Sequence, residues 1–384
     1  MDSQILEQWQ HISKVVAVNT ERVVHAFRVS GLTSGDLAGS TGYGYDDRGR
    51  LLLDNIVAQI FGCESALVRP QWVSGTHALA TALMALARPQ QTVWLMTGDP
   101  YDTIRPTLLH LRSKGVDVTS VAGHNHEDLQ IHSDDVVYIQ RSRGYAPRKS
   151  WGPEEIAPIV RWAHQSGAVV VVDNCYGEFT QGTEPGHWGA DLVVGSLMKN
   201  PGGTIAPTGA YIAGRRYLVN QVADHFYAPG IGGEVGATAP YLRLFAQGFF
   251  LAPQMVGEAL CGGIYISHAA QRHGIHSEPL STDTSRNDIV VALDLESPER
   301  VIAFCQAIQA WEPVDAMATP EAWAMPGYEH PIIMAAGGFV AGGSLELSAD
   351  APMREPYRVY IQGGVNRWHT KLAIDAALDH LRRL

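Results

Sequence analysis

The chain has 384 residues, 46% of them hydrophobic and 17% charged, enough for a large core and an expected two domains. Its formal net charge of -11 argues against nucleic acid as a partner, which would favour a basic surface. It leaves room for a local nest of donors around a small anion. Cys63, Cys175, Cys261 and Cys305 are widely spaced with no CxxC pair, so neither a disulfide framework nor a zinc site is expected. The start, Met1-Asp2-Ser3-Gln4, has no basic stretch leading into an apolar core. The cysteine pattern fits a reducing cytoplasm, and the apolar runs look too short, or too broken by Gly and Pro, to span a membrane.

Residues 4–30 carry apolar positions at mixed three- and four-residue spacing, which predicts a helix. A polar, glycine-rich stretch follows, Gly39-Ser40-Thr41-Gly42-Tyr43-Gly44-Tyr45-Asp46-Asp47-Arg48-Gly49-Arg50, and a helical pattern resumes over 51–61. Residues 1–60 are read as a helical arm and subunit-contact segment. From there to 275 a large α/β domain is expected. Buried strands are predicted at 93–96, 116–121, 136–140, 168–173, 192–195 and 210–213, with helices at 75–87, 102–114 and 153–166. This alternation predicts a mostly parallel sheet flanked by helices. Ligands then sit beyond the carboxyl ends of the strands, where Gln140, Asp173 and Ser196 fall. Residues 216–275 read as helical, interrupted at Pro229-Gly230-Ile231-Gly232-Gly233-Glu234. The last segment, 276–384, reads as a smaller α+β domain with strands at 288–293, 343–347 and 357–362 and helices at 298–310 and 367–383.

Only five lysines occur: Lys14, Lys114, Lys149, Lys199 and Lys371. Lys199 alone follows a buried strand, and it precedes Asn200-Pro201-Gly202-Gly203. A lysine there is expected to be desolvated, which lowers its pKa. Asp173 ends the neighbouring apolar run Val169-Val170-Val171-Val172. An acid and a lysine at the ends of neighbouring strands are the pair that pyridoxal 5'-phosphate (PLP) chemistry uses. The lysine forms a Schiff base with the aldehyde, and the carboxylate keeps a proton on the pyridine nitrogen.

Ser74-Gly75-Thr76-His77 opens a helix, and its free N–H groups and hydroxyls suit a phosphate; an ordinary N-cap would look the same. Ser196, three residues before Lys199, offers another hydroxyl. Tyr101, in Asp99-Pro100-Tyr101-Asp102-Thr103, can stack on a ring or sit exposed beside a cap. Arg143, in Gln140-Arg141-Ser142-Arg143-Gly144-Tyr145, is a candidate for a substrate carboxylate, as is Arg354 in the run to Gly364. Solvated loops or a charged edge strand are the plain alternatives. No GxGxxG follows the first strand, which weakens a dinucleotide-binding reading.

These motifs, together with Gly195-Ser196-Leu197-Met198-Lys199-Asn200-Pro201-Gly202-Gly203, resemble one family over roughly residues 40–365. It is the methionine gamma-lyase-like group, also called aluminium resistance proteins, in the Cys/Met-metabolism class of fold type I PLP enzymes. The resemblance implies PLP as cofactor, Lys199 as the Schiff-base lysine and Asp173 as the partner of the pyridine nitrogen. It implies that Gly75 and Thr76, with Ser74 and Ser196, hold the phosphate and that Tyr101 stacks on the ring. Tyr43, Tyr45 and Arg48 become candidates for reaching the phosphate of a neighbouring subunit, in a homodimer or homotetramer. Two departures stand out: Met198 replaces the usual Thr before the lysine, and Val365-Asn366-Arg367-Trp368-His369 differs from the group's usual run.

The implied reaction is γ-elimination or γ-replacement on an L-amino acid, with Lys199 moving the α-proton and Tyr101 as acid for the leaving group. Alternatives are β-elimination of a cystathionine-like substrate, a specialised γ-elimination in secondary metabolism, and a PLP-binding stress protein with little turnover.

Overall fold

The computed structural model describes residues 2–121, 123–343 and 345–384. In α1 (Ser3–Ser30) the Asp2 side chain caps the first turn, and Gly31 ends the helix in the left-handed region. Asp47 caps α2 (Arg48–Phe61), which buries Ile56, Val57, Ile60 and Phe61. There follow β1 (Ser65–Arg69), α3 (Gly75–Leu86), β2 (Thr92–Leu95), α4 (Arg105–Ser113), β3 (Asp117–Ser120), β4 (Val136–Gln140), α5 (Pro153–Gln165), β5 (Val169–Asp173), β6 (Leu192–Ser196) and β7 (Ala210–Gly214). The strands form one sheet in the order β1-β7-β6-β5-β4-β2-β3. β2 to β6 run parallel, and β7 is antiparallel to both of its neighbours.

The parallel strands explain the sequence pattern. β4, β5 and β6 are covered on both faces, so nearly every residue is apolar and buried. Polar residues appear only where these strands end, at Gln140, Asp173 and Ser196, and there they line a common cavity.

α6 (Arg216–Phe226) and α7 (Leu242–Arg272) flank the predicted glycine-rich break. α7 is long and apolar enough to cross a membrane, contrary to the reading of its interrupted run. Its Phe245, Phe249, Val256, Leu260 and Ile264 are nevertheless buried in the core, which packs them against α1.

The C-terminal part comprises β8 (Ser277–Glu278), β9 (Val290–Asp294), α8 (Pro298–Gln309), β10 (Ile332–Ala336), β11 (Ser348–Pro352), β12 (Arg358–Gln362) and α9 (Arg367–Leu381). Its sheet is antiparallel, in the order β10-β11-β12-β9-β8. Alternation divides the two faces. Val291, Leu293, Ala349, Ala351, Val359 and Ile361 enter the core with α8 and α9. Met334, Ser348, Asp350 and Gln362 turn to the cavity at the end of the large sheet.

β1, β8 and β10 have no counterpart among the expected strands, and one expected strand is displaced. The alternating residues at 343–347 do not form it, and Ser344 lies outside the described residues. Glu346 instead accepts from the N–H groups of Phe339 and Val340, at 2.8 and 3.0 Å, and closes a loop. The strand is β11, five residues further on, despite its Asp and Pro.

Candidate active site

A cavity of about 280 Å³ opens where the carboxyl ends of β4, β5 and β6 meet the face of the small sheet. Ser74, Gly75, Thr76, Tyr101, Asp173, Ser196 and Lys199 all line it. Seven residues from four separate segments of sequence thus share one wall system.

The anion-facing corner is the start of α3. Ser74 caps the helix, its Oγ accepting from His77 N–H at 3.1 Å. The N–H groups of Gly75 and Thr76 lie in the first turn and have no acceptor within the helix. Gly75 packs closely: a Cβ there would stand 3.1 Å from both Cys175 Sγ and Ser196 Cβ. The Thr76 hydroxyl pairs with that of Thr103 at 2.8 Å, and Ser196 Oγ accepts from Met198 N–H at 3.3 Å. Helix dipole, free N–H groups and hydroxyls together suit a phosphate.

Asp173 stands at the opposite pole. Its Oδ1 accepts from Cys175 N–H at 3.1 Å and its Oδ2 from the Tyr138 hydroxyl at 3.2 Å. Burial pushes its pKa up, while these donors and the Lys199 charge pull the other way without reversing the shift. Lys199 lies over the Tyr176 ring, Nζ 3.4 Å from the centroid. The expected lowering of its pKa does not occur. Burial does disfavour the ammonium, but Tyr176, Cys175 and Asp173 outweigh it and hold the group above the ordinary lysine value.

Tyr101 is fixed at both ends. Its N–H donates to Gln140 Oε1 at 2.7 Å, and its hydroxyl meets that of Tyr328 at 2.7 Å. Burial, reinforced by Tyr145, Tyr176 and Tyr328, holds its pKa well above the usual phenol value, so it stays protonated.

The remaining sequence candidates stand elsewhere. Arg143 is buried outside the cavity lining, its guanidinium 2.9 Å from the Glu278 carboxylate and donating to the Glu278 and Arg148 carbonyls at 3.0 and 2.8 Å. Arg354 is half-buried beside the small sheet and also outside the lining. Tyr43 and Tyr45 are 78% and 62% exposed, with ring centroids 5.9 Å apart. Arg48 pairs with Asp36 at 2.5 Å. The loop carrying the tyrosines is pinned by buried Arg50, which donates to the carbonyls of Gly44, Gly236 and Glu234 at 2.7, 2.8 and 2.7 Å.

Several lining or supporting residues escaped the sequence reading: Tyr138, Tyr176, Tyr328, Asp350 and Gln362. Asp350 is buried on β11, and burial raises its pKa to about 7 against the Lys199 charge and a bond from Gln362. A signal for it existed, the alternation of polar Ser348 and Asp350 with Ala349 and Ala351.

A mostly parallel sheet with an acid and a lysine at adjacent strand ends, and a phosphate cradle at a helix start, defines a fold type I PLP enzyme. The residues present fit that cofactor: the cradle suits its phosphate, Asp173 its ring nitrogen and Lys199 its aldehyde. The chain belongs to the methionine gamma-lyase family, which it matches over residues 1–382, and is a PLP-dependent carbon–sulfur lyase. It is 40% identical over 390 residues to the uncharacterized protein YnbB of Bacillus subtilis, covering 97% of this chain and 92% of that protein. A crystal structure of a carbon–sulfur lyase involved in aluminium resistance from Clostridium novyi NT superposes with a TM-score of 0.91 at 37% identity, covering 99% of this chain and 93% of that one. A protein from Listeria monocytogenes, provisionally described as a cystathionine beta-lyase involved in aluminium resistance, gives a TM-score of 0.94 at 38% identity, covering 99% and 98% of the two chains.

Proposed function

We propose that this lyase removes a thiol from the γ-carbon of an L-amino acid, by elimination or replacement, as the family name suggests. The observation that carries the reading is the convergence of Lys199, Asp173, the α3 cradle and Tyr101 on one cavity. Ser74, Gly75, Thr76 and Ser196 would hold the cofactor's phosphate, and Lys199 its aldehyde. When bound, the cofactor supplies an electron sink for the charge left at Cα after proton removal. Asp173 favours a proton on the ring nitrogen, and Tyr138 and Cys175 orient its carboxyl.

Lys199 Nζ, left neutral when the substrate amine takes over its bond to the aldehyde, would take the α-proton, hand it on to the cofactor, and then take a second proton from Cβ, whose C–H electron pair expels the γ-sulfur. The Tyr101 hydroxyl, protonated and aligned by Tyr328, donates to the departing sulfur. The apolar walls at Leu79, Ile104 and Met334 limit water around the reacting carbons. Exposed Tyr43 and Tyr45, with Arg48, would complete the phosphate site of a second copy in a homodimer or homotetramer.

Product analysis separates this reading from its rival. Homocysteine thioethers should release 2-oxobutyrate, and cysteine thioethers should react poorly. Pyruvate from cysteine thioethers, with no 2-oxobutyrate, would establish a β-lyase instead. Borohydride should fix the cofactor to Lys199, and Lys199→Ala should lose both the fixation and turnover. Light scattering with and without Tyr43→Ala tests the oligomer.

A further inference from the structure

Among the described residues, two polar atoms in the cavity wall are buried without a hydrogen-bond partner, Ser348 Oγ and Asp350 Oδ1. They lie two residues apart on β11 and so share one face of the strand. Ala349 and Ala351 project the other way, into the core. Strand pairing sets Gln362 of β12 opposite Ser348 and Met334 of β10 opposite Asp350. Gln362 Nε2 donates to Asp350 Oδ2 at 2.7 Å, which fixes the carboxyl and leaves Oδ1 without a donor. Asp350 is only 5% exposed, so water offers that oxygen little compensation.

A ligand that brings a donor here relieves an unfavourable burial. Lys199 is the one cationic side chain among the described residues lining the cavity, and the cofactor claims it. A ligand carboxylate at this wall would meet Asp350 and no arginine. An ammonium would meet a fixed acceptor, with a hydroxyl beside it. Met334 and Ala336, from the neighbouring strand, offer the apolar contact that a methylene or thioether chain needs on its way there.

We propose that Ser348, Asp350 and Gln362 form a side-chain subsite that selects amino acids ending in a second ammonium group, held on Asp350 Oδ1. The proposal rests on the lyase reading and narrows its substrate class to thioether amino acids that carry an amine beyond the sulfur.

Holoenzyme should be titrated calorimetrically with three pairs of amino acids that lack a leaving group: L-2,4-diaminobutyrate against L-norvaline, L-ornithine against L-norleucine, and L-lysine against L-2-aminoheptanoate. Within each pair only the terminal ammonium is exchanged for methyl. At least one diamino acid should bind about 10-fold or more tightly than its partner, the range of a charge-assisted bond. Asp350→Asn should abolish that preference while the apolar partners bind as before, and Ser348→Ala should reduce it. The idea is overturned if no pair favours the diamino member, or if the preference survives Asp350→Asn. Because these ligands release no thiol, this outcome is independent of the product assays that test the lyase reading.

Discussion

Lys199 Nζ lies 3.4 Å from the centroid of the Tyr176 ring, and Tyr176 adopts a left-handed backbone with φ of 70°. That conformation is unfavourable for a residue with a side chain and persists only when its surroundings impose it. Asn200, next to the lysine, does so: its Nδ2 donates to the carbonyls of Tyr176 and Glu178 at 3.0 and 2.9 Å. The segment after β5 is thereby tied to the segment after β6, with the ring against the ammonium.

A ring face stabilises a desolvated ammonium by roughly 0.5–2 kcal/mol. Tyr176→Leu should therefore ease deprotonation of Lys199. The pH midpoint for fixing PLP to the protein with borohydride should fall by about one unit, equivalent to about 1.4 kcal/mol. An unchanged midpoint would reduce the ring to a packing role.

Tyr101 gives a second prediction, through its leaving-group role. Its hydroxyl is protonated and shared with Tyr328 at 2.7 Å. Tyr101→Phe should lower kcat on thioethers by about 10²–10⁴-fold, the usual contribution of a positioned acid. The loss should shrink on a sulfonium substrate, whose leaving group needs no proton. Tyr328→Phe should lose less, since it aligns the donor without replacing it. Equal losses on both leaving groups would exclude the acid role.

What the sequence discloses follows from the physics of each element. β4, β5 and β6 are legible because strands buried on both faces read as unbroken apolar runs, and their terminal polar residues then mark the ligand edge. Asp173 and Lys199 stand out in the sequence for that reason, whereas Ser74-Gly75-Thr76 stands out as a capped helix start. β11 is obscured because Ser348-Ala349-Asp350-Ala351-Pro352 has no β-branched or aromatic residue, so its pairing comes from the tertiary context. The arginines mislead differently. A sequence shows a charge but not its partner, and the Glu278 carbonyl that Arg143 meets is 135 residues away. The Lys199 pKa depends likewise on Tyr176 and Cys175, which lie on another strand's end.

Arg143 therefore supports a stability prediction. Its guanidinium joins the loop after β4 to β8, through the Glu278 carboxylate and carbonyl. Arg143→Met keeps the apolar stem and leaves that carboxylate without one of its two cations, the other being Arg358 at 3.3 Å. A loss of about 2–4 kcal/mol is expected from breaking a largely buried pair, less than the full range because Glu278 is partly exposed. Thermal unfolding should shift down by several degrees, while KM at permissive temperature changes little. A large KM increase with an unchanged Tm would restore the carboxylate-binding role.

Glu312 provides the pH test. It is buried near the end of α8, its Oε1 has no hydrogen-bond partner, and burial together with the Glu346 charge raises its pKa from 4.5 to about 8. An acid whose folded pKa is raised binds its proton more tightly in the native state. Its stabilising contribution is fully present below the unfolded value and is lost as pH rises through the folded one. The native protein should thus lose stability from this group between pH 4.5 and about 8. Glu312→Gln cannot ionise, so it escapes that loss. Its Tm relative to the parent should become more favourable by a few degrees from mildly acidic to mildly alkaline buffer. The same Tm difference at both ends would mean that Glu312 ionises in the native state at little cost, with a side chain that reaches water.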